Sequence, residues 1–335
     1  MHSLWIMAGL LLVSAVVIYL ACEFFVNGVE WVGHKFDVGQ KATGTILAAF
    51  GTALPESIVT LVAVTSGNGP ASKELGIGAA LGGPLALSTI AYATVGVTLL
   101  LSRQKLGRDT GVQNIFRRLS RDQGWFLAIF ALKILLGCVV FAWKPWLGVA
   151  FLAAYALYVR QEMTGEAEEE EGELEPLKFQ PKRETPATAM AVFQTLCALV
   201  VIFVASRVFV SQLEGLGPVL GLPPQLLALL LSPIATELPE TMNAVIWVRQ
   251  GKYRLALSNI SGAMMIQATV PTALGLFFTP WLLSTPLLVA AGATALAVLI
   301  MFVAFRMGYV ARRLLAGMGL LYAVFAATVV ALHLA

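Results

Sequence analysis

Apolar runs long enough to cross about 30 Å of hydrocarbon, which takes roughly 17 to 25 helical residues, recur along the whole chain. By hydropathy they fall at about 4–26, 41–66, 75–101, 125–142, 145–160, 187–212, 224–248, 255–279, 283–305 and 313–334 of the 335 residues. Only 12% of residues are charged, against about 25% in soluble domains, so a water-facing surface cannot be built from this composition. A segment crossing hydrocarbon must satisfy its own backbone hydrogen bonds, and runs of this length do so as helices. The expected fold class is an all-α integral membrane protein with ten transmembrane helices. The first run lacks a basic leader and a small-residue cleavage site, so it reads as a span rather than a signal peptide. Cys22, Cys138 and Cys197 lie inside apolar runs and read as small core residues, not a disulfide framework.

The net charge of +3 conceals a strong sorting. Of the 22 Lys and Arg residues, 18 fall in alternate loops on one side, from Lys35 and Lys41 to Arg306, Arg312 and Arg313. The other side holds Lys73 and Lys144, while Lys133 and Arg207 fall within spans. The positive-inside rule makes the basic side cytoplasmic and puts both termini outside. One segment is strongly polar, 161–186, with eight of the nineteen acidic residues between Glu162 and Glu175. It divides the chain into halves 1–160 and 187–335, each with five spans. Because five is odd, the second half starts from the opposite face, the geometry of two inverted five-helix repeats.

The repeat is visible in the residues. A shift of 184 brings Gly51-Thr52-Ala53-Leu54-Pro55-Glu56 onto Ala235-Thr236-Glu237-Leu238-Pro239-Glu240, with Glu30 on Glu214 and Gly67 on Gly251. Beyond Gly67 the register slips by four, so Gly82 matches Gly262 and Thr89 matches Thr269. The repeated units are about 41–101 and 224–279.

The repeated string carries chemistry. Entering from opposite faces, the two spans bring Glu56, Glu237 and Glu240 near the bilayer midplane, where an ionised group is costly unless it meets a partner. Each proline lacks an N–H and frees the carbonyl four residues earlier, Pro55 that of Gly51 and Pro239 that of Ala235. Thr52 and Glu56 are four apart on one helix face, as are Thr236 and Glu240. Three carboxylates, two hydroxyls and freed carbonyls are hard oxygen ligands, which suits Ca²⁺ better than zinc or copper. The alternatives are mutual neutralisation by protonation, a water-filled crevice, or threonines bonding back to their own helices.

These motifs resemble the α-repeats of the sodium/calcium exchangers of the Ca²⁺:cation antiporter superfamily, which carry Gly-Thr-Ser-x-Pro-Glu in spans 2 and 7. Ten spans, external termini and a central cytoplasmic loop are similar too. The resemblance implies an antiporter in a prokaryotic inner (plasma) membrane, with no cofactor beyond the transported ions. Ca²⁺ would be held chiefly by Glu56 and Glu240, helped by Thr52 and Thr236, with sliding of spans 1 and 6 across a fixed core. The chain departs from the pattern in both repeats. Ala53 and Glu237 replace the second motif hydroxyl. The following Gly-Ser-Asn-x-x-Asn or -Asp pattern becomes Gly82-Gly83-Pro84-Leu85-Ala86-Leu87 and Gly262-Ala263-Met264-Met265-Ile266-Gln267. Most side chains expected around Na⁺ are missing, and three clustered carboxylates could exchange a proton when Ca²⁺ leaves. Both Na⁺ and H⁺ therefore stand as counter-ions, and Mn²⁺ as another divalent substrate. The expected cation ligands are Thr52, Glu56, Thr236, Glu237 and Glu240, with the carbonyls near Gly51 and Ala235 and the Gln267 side chain as weaker members.

Elsewhere, the Glu-rich stretch 162–175 lacks the spacing of an EF-hand loop and reads as a solvated, disordered linker. Arg117, Arg118 and Arg121 fit lipid headgroups. Lys133, alone at mid-span, would tether a carboxylate or snorkel, and Glu23 and Arg207 near span ends would snorkel. The partners expected are inorganic cations and lipid, not nucleic acid. A passive cation channel could share the acids. An enzyme finds no support: the only histidines are His2, His34 and His333, and Asp37, Asp109 and Asp122 fall in expected loops.

Overall fold

A computed structural model of the chain describes residues 2–36, 43–49, 51, 53, 57, 60, 61, 64, 65, 70–102, 110–163, 174–219, 230, 233 and 237–334. Among these there is no strand. The helices are α1 (His2–Lys35), α2 (Pro70–Ala86), which runs through a π-helical turn (Leu87–Ala91) into α3 (Tyr92–Leu101), α4 (Thr110–Gly137), α5 (Leu147–Met163), α6 (Thr188–Val219), α7 (Leu238–Arg249), α8 (Tyr253–Phe278), α9 (Thr285–Arg306) and α10 (Arg312–Leu334). A π-helical segment, Thr43–Ala48, lies in the second expected span. Six helical segments among the described residues are long and apolar enough to cross a membrane, and the chain is an integral membrane protein.

Glycine decides which helices touch. Without a hydrophobic drive between helices in lipid, small residues that let backbones approach set the pairing. A Cβ on Gly28 of α1 would lie 2.5 Å from Thr195 Oγ1 of α6. Gly96 of α3 packs directly on the Ala316 backbone of α10, and Gly319 of α10 on Ala93. Gly124 and Gly137 of α4 meet Phe302 and Leu283 around α9, and Gly148 of α5 meets Phe277 of α8. The centre belongs to α8 and to the α2–α3 helix. Of their most apolar stretches 83% and 61% are buried, against 17% for α1. Ala256, Ser258, Ser261, Gly262, Ala263 and Ala268 make α8 slim enough to be enclosed on every side. The outer helices instead present Trp5, Leu12 and Val16, Phe193 and Val200, or Leu320 and Val324 outward, a surface suited to acyl chains.

Lys35, Arg249, Lys252, Arg306 and Arg312 gather at or near helix ends on one side of the bundle, the basic end. At the opposite end Lys144 Nζ donates to the carbonyls of Val139, Pro280 and Trp281 at 2.7, 2.9 and 2.9 Å, joining the α4–α5 turn to the α8–α9 turn. Trp281 has φ of 48°, strained for a bulky residue. Its buried indole holds it there, with Nε1 donating to Lys133 O at 3.0 Å. Trp143 and Trp146 stand exposed on the same turn, as interfacial tryptophans do.

Four expectations are corrected. Helix α4 begins at Thr110, not near 125, because Ile115, Phe116 and Leu119 give its charged first turns a buried face. Asp122 consequently lies on that helix, fully buried, rather than in a loop. Part of the expected linker is folded. Asn27 Nδ2 donates to the Glu175 and Pro176 carbonyls, its Oδ1 accepts from Lys178 N, and Gln194 Oε1 accepts from Phe179 N. These bonds hold 174–186 as a strap across α1 and α6, with Leu177 buried beside Trp31 and Ala191. Glu162 is on α5, paired with Arg121 at 2.9 Å, while residues 164–173 lie outside the described residues. Cys138 is exposed rather than part of the core.

The α3–α10 contact is directly testable. In Gly96→Val the new Cβ would meet the Ala316 backbone nitrogen at 2.1 Å; overpacking of this kind costs about 1–3 kcal/mol. A clear fall in melting temperature of the detergent-solubilised protein is expected, and an unchanged melting curve would refute the contact.

Candidate cation site

Of the expected ligands, Glu237, Glu240, Gln267 and Gly51 are described; Thr52, Glu56, Ala235 and Thr236 lie outside the described residues. Pro239 explains why α7 starts where it does. Lacking an N–H, it fits the first turn of a helix, where that donor would be unused. Glu237 is the residue before α7 and Glu240 lies in its first turn. Both carboxylates thus sit at a helix N-terminus inside the bundle, where the helix dipole favours negative charge. Glu237 and Glu240 are each 1% exposed.

The segment after the first motif reaches this helix start. A Cβ on Gly83 would lie 2.3 Å from Gln267 Oε1 and 2.9 Å from Glu237 Oε1, and one on Gly82 would lie 2.3 Å from Pro233 Cγ. Gln267, 1% exposed, donates from Nε2 to Glu237 Oε1. The departures from the exchanger pattern therefore fit one another: the site can hold Glu237 and the long Gln267 side chain because residue 83 has no side chain of its own. Sequence reasoning missed Pro271 in α8, which deprives the Gln267 carbonyl of its helical donor. The signal was available as a proline four residues after an expected ligand. Among the described residues no three His, Cys, Asp or Glu side chains gather into one cluster; Glu56, the third expected carboxylate, is not among them.

Among the described residues Lys133 tethers no carboxylate, and it does not snorkel. It is fully buried, its Nζ donates to Ala80 O at 2.8 Å, and it lies over the Phe130 and Trp281 rings at 5.3 and 6.0 Å. The reason is Pro84, four residues on inside α2, which removes the donor that Ala80 O would otherwise have. Lys133 supplies the missing hydrogen bond from α4. Nearby, Gln123 Nε2 bridges Tyr92 Oη at 3.1 Å and Ser261 Oγ at 3.3 Å, joining α4, α3 and α8. The Glu237 carboxylate and the Gln267 amide thus meet against Gly83, on helices that small residues and Lys133 hold close. Such a group can take a hard cation stripped of water.

The family model described as sodium/calcium exchanger protein matches residues 6–160 and 190–332. An uncharacterized membrane protein of Methanocaldococcus jannaschii is 23% identical over 278 residues, covering 81% of each chain. Inner membrane protein YrbG of Escherichia coli is 23% identical over 279 residues, 81% of this chain and 80% of the relative. Among solved structures, the sodium-calcium exchanger NCX_Mj soaked with Na⁺ and no Ca²⁺ superposes with a TM-score of 0.74 at 18% identity, over 97% of this chain and 99% of that one. The same exchanger free of both ions gives 0.74 at 17% identity, over 98% and 99%.

If Lys133 serves the Pro84 break, Lys133→Met should lower stability by about 1–3 kcal/mol, the cost of an orphaned buried carbonyl. In a Pro84→Ala background, where the backbone N–H returns, the same substitution should cost clearly less. Equal losses of melting temperature in the two backgrounds would disprove the assignment.

Proposed function

The chain belongs to the sodium/calcium exchanger family, and from that premise we propose that it is a secondary antiporter moving Ca²⁺ against Na⁺ or H⁺ by alternating access. The family is one of transporters, not enzymes. In this reading the chain forms two inverted five-helix halves, 1–160 and 187–335, joined by 161–186, with both termini outside a prokaryotic inner membrane. Thr52, Glu56, Thr236, Glu237 and Glu240 bind the cation, with the Gly51 and Ala235 carbonyls and Gln267 as further oxygens. The observation that carries the reading is the convergence of Gly83, Glu237 and Gln267. It joins a segment of the first repeat to two segments of the second, inside a family match that spans both halves. A cation site at such a repeat interface can be exposed to either face in turn by moving one helix set against another.

The counter-ion follows from the ligands. Gly82-Gly83-Pro84 brings no side-chain oxygen, so fewer Na⁺ ligands surround this site than the family pattern has. Glu237 adds a carboxylate that can exchange a proton as Ca²⁺ leaves, with Gln267 positioned to bond it in either state.

In proteoliposomes, an imposed Na⁺ or pH gradient should drive uphill Ca²⁺ movement. Ca²⁺ leaking only down its own gradient, with neither coupling, would favour a passive channel and end the antiporter reading. Glu240→Gln should abolish transport while the protein remains folded in detergent; wild-type flux would remove Glu240 from the site. Glu237→Ser should alter the pH dependence of exchange, and an unchanged profile would exclude Glu237 as the proton carrier.

A further inference from the structure

Two asparagines stand out because no described residue answers their side chains. Asn243 on α7 and Asn259 on α8 are both fully buried. None of their four side-chain nitrogen and oxygen atoms has a hydrogen-bond partner among the described residues. A buried amide left unmatched is unfavourable, and two on adjacent helices call for a shared occupant.

Their depth follows from the bonds around them. Helices α7 and α8 form an antiparallel hairpin turning at 250–252, and Gln267 bonded to Glu237 fixes their levels. Six residues from Glu237 along α7 and eight from Gln267 along α8, both toward the basic end, lead to Asn243 and Asn259. At 1.5 Å per residue their depths differ by about 3 Å. Asn243 is also three residues from Glu240, on a neighbouring line of the same helix. Beyond the pair, toward the basic end, Trp247 Nε1 and Lys252 Nζ both donate to the Glu30 carboxylate of α1. On α1, Cys22 lies against the Pro239 carbonyl and Glu30 against Trp247, on either side of Asn243 along α7. Helix α1 closes this stretch at the basic end with the Glu30–Lys252 ion pair.

We propose that Asn243 and Asn259 form a second cation position, which Ca²⁺ occupies between the central carboxylates and the aqueous face at the basic end. Amide oxygens are hard ligands of the kind Ca²⁺ accepts, and without charge they hold it less tightly than Glu240 does. That ranking suits a transit position, which must receive an ion and release it. The inference rests on the exchanger reading and adds to it a route on one side.

The test measures half-saturating Ca²⁺ for exchange separately from each face, in membrane vesicles of both orientations, for wild type, Asn243→Ala, Asn259→Ala and Glu240→Gln. Each alanine variant should raise the value at the basic-end face about five-fold, the order of one weak ligand lost, and leave the opposite face unchanged. Where an alanine variant fails to fold, Asn→Ser, which keeps an oxygen, takes its place and should show a smaller shift on the same face. Equal shifts on both faces, or none, would overturn the proposal and leave the pair as water-bridged core. Wild type without coupled exchange from either face would remove the exchanger reading itself, and Glu240→Gln should silence both faces whatever the asparagines do.

Discussion

A main-chain carbonyl inside hydrocarbon has no water to turn to, and much of this structure answers that constraint. Pro84 deprives Ala80 of its helical donor, and an entire lysine side chain is brought from α4 to replace it. At the end away from the basic residues, where α4 gives way to α5 and α8 to α9, the carbonyls of Val139, Pro280 and Trp281 converge on the one ammonium of Lys144. Lys133 ties α4 to α2, and Lys144 ties the α4–α5 turn to the α8–α9 turn, each by bonding backbone. The Lys133 ammonium is thereby taken up by the Ala80 carbonyl.

The same economy of space shapes the ligand set. Gly82 and Gly83 bring the backbone of α2 against Pro233, Glu237 and Gln267. A serine at 83, as the family pattern has, would place its Cβ within 2.3 Å of Gln267 Oε1. Loss of that hydroxyl and gain of the longer side chains opposite it are therefore one change seen from two helices.

Much of this was legible in the sequence because a membrane span must be long and apolar, and because a glutamate within one is rare enough to be noticed. The Pro-Glu motif, and its position at the start of a helix, followed from Pro239. What escaped notice depends on partners far away in the chain. Lys133 reads as an unpaired charge until Ala80, 53 residues distant, is seen beside it. The first turns of α4 read as loop because Arg117, Arg118, Arg121 and Asp122 mask the periodicity of Ile115, Phe116 and Leu119. The strap at 174–186 has the composition of a linker, and only the buried amides of Asn27 and Gln194 give its backbone a place to bind. Asn243 and Asn259 are unremarkable letters in apolar helices and acquire meaning only through complete burial.

The two ends of the bundle are closed by different means, and the difference bears on how it can open. The Lys144 clamp joins α4–α5 to α8–α9, all elements of the enclosed core, through hydrogen bonds to backbone that no change in side-chain charge disturbs. At the basic end the closure is an ion pair from Glu30 on α1 to Lys252 and a hydrogen bond to Trp247, both between a peripheral helix and the core. The strap rides on α1 and α6 together, so it moves with that pair rather than restraining it against the core. Any motion that uncovers the α7–α8 hairpin from the basic end must break the Glu30 contacts, and it can leave the Lys144 clamp intact. Charge therefore governs the boundary between α1 and the core, while backbone hydrogen bonding and close-packed glycine govern the interior of the core.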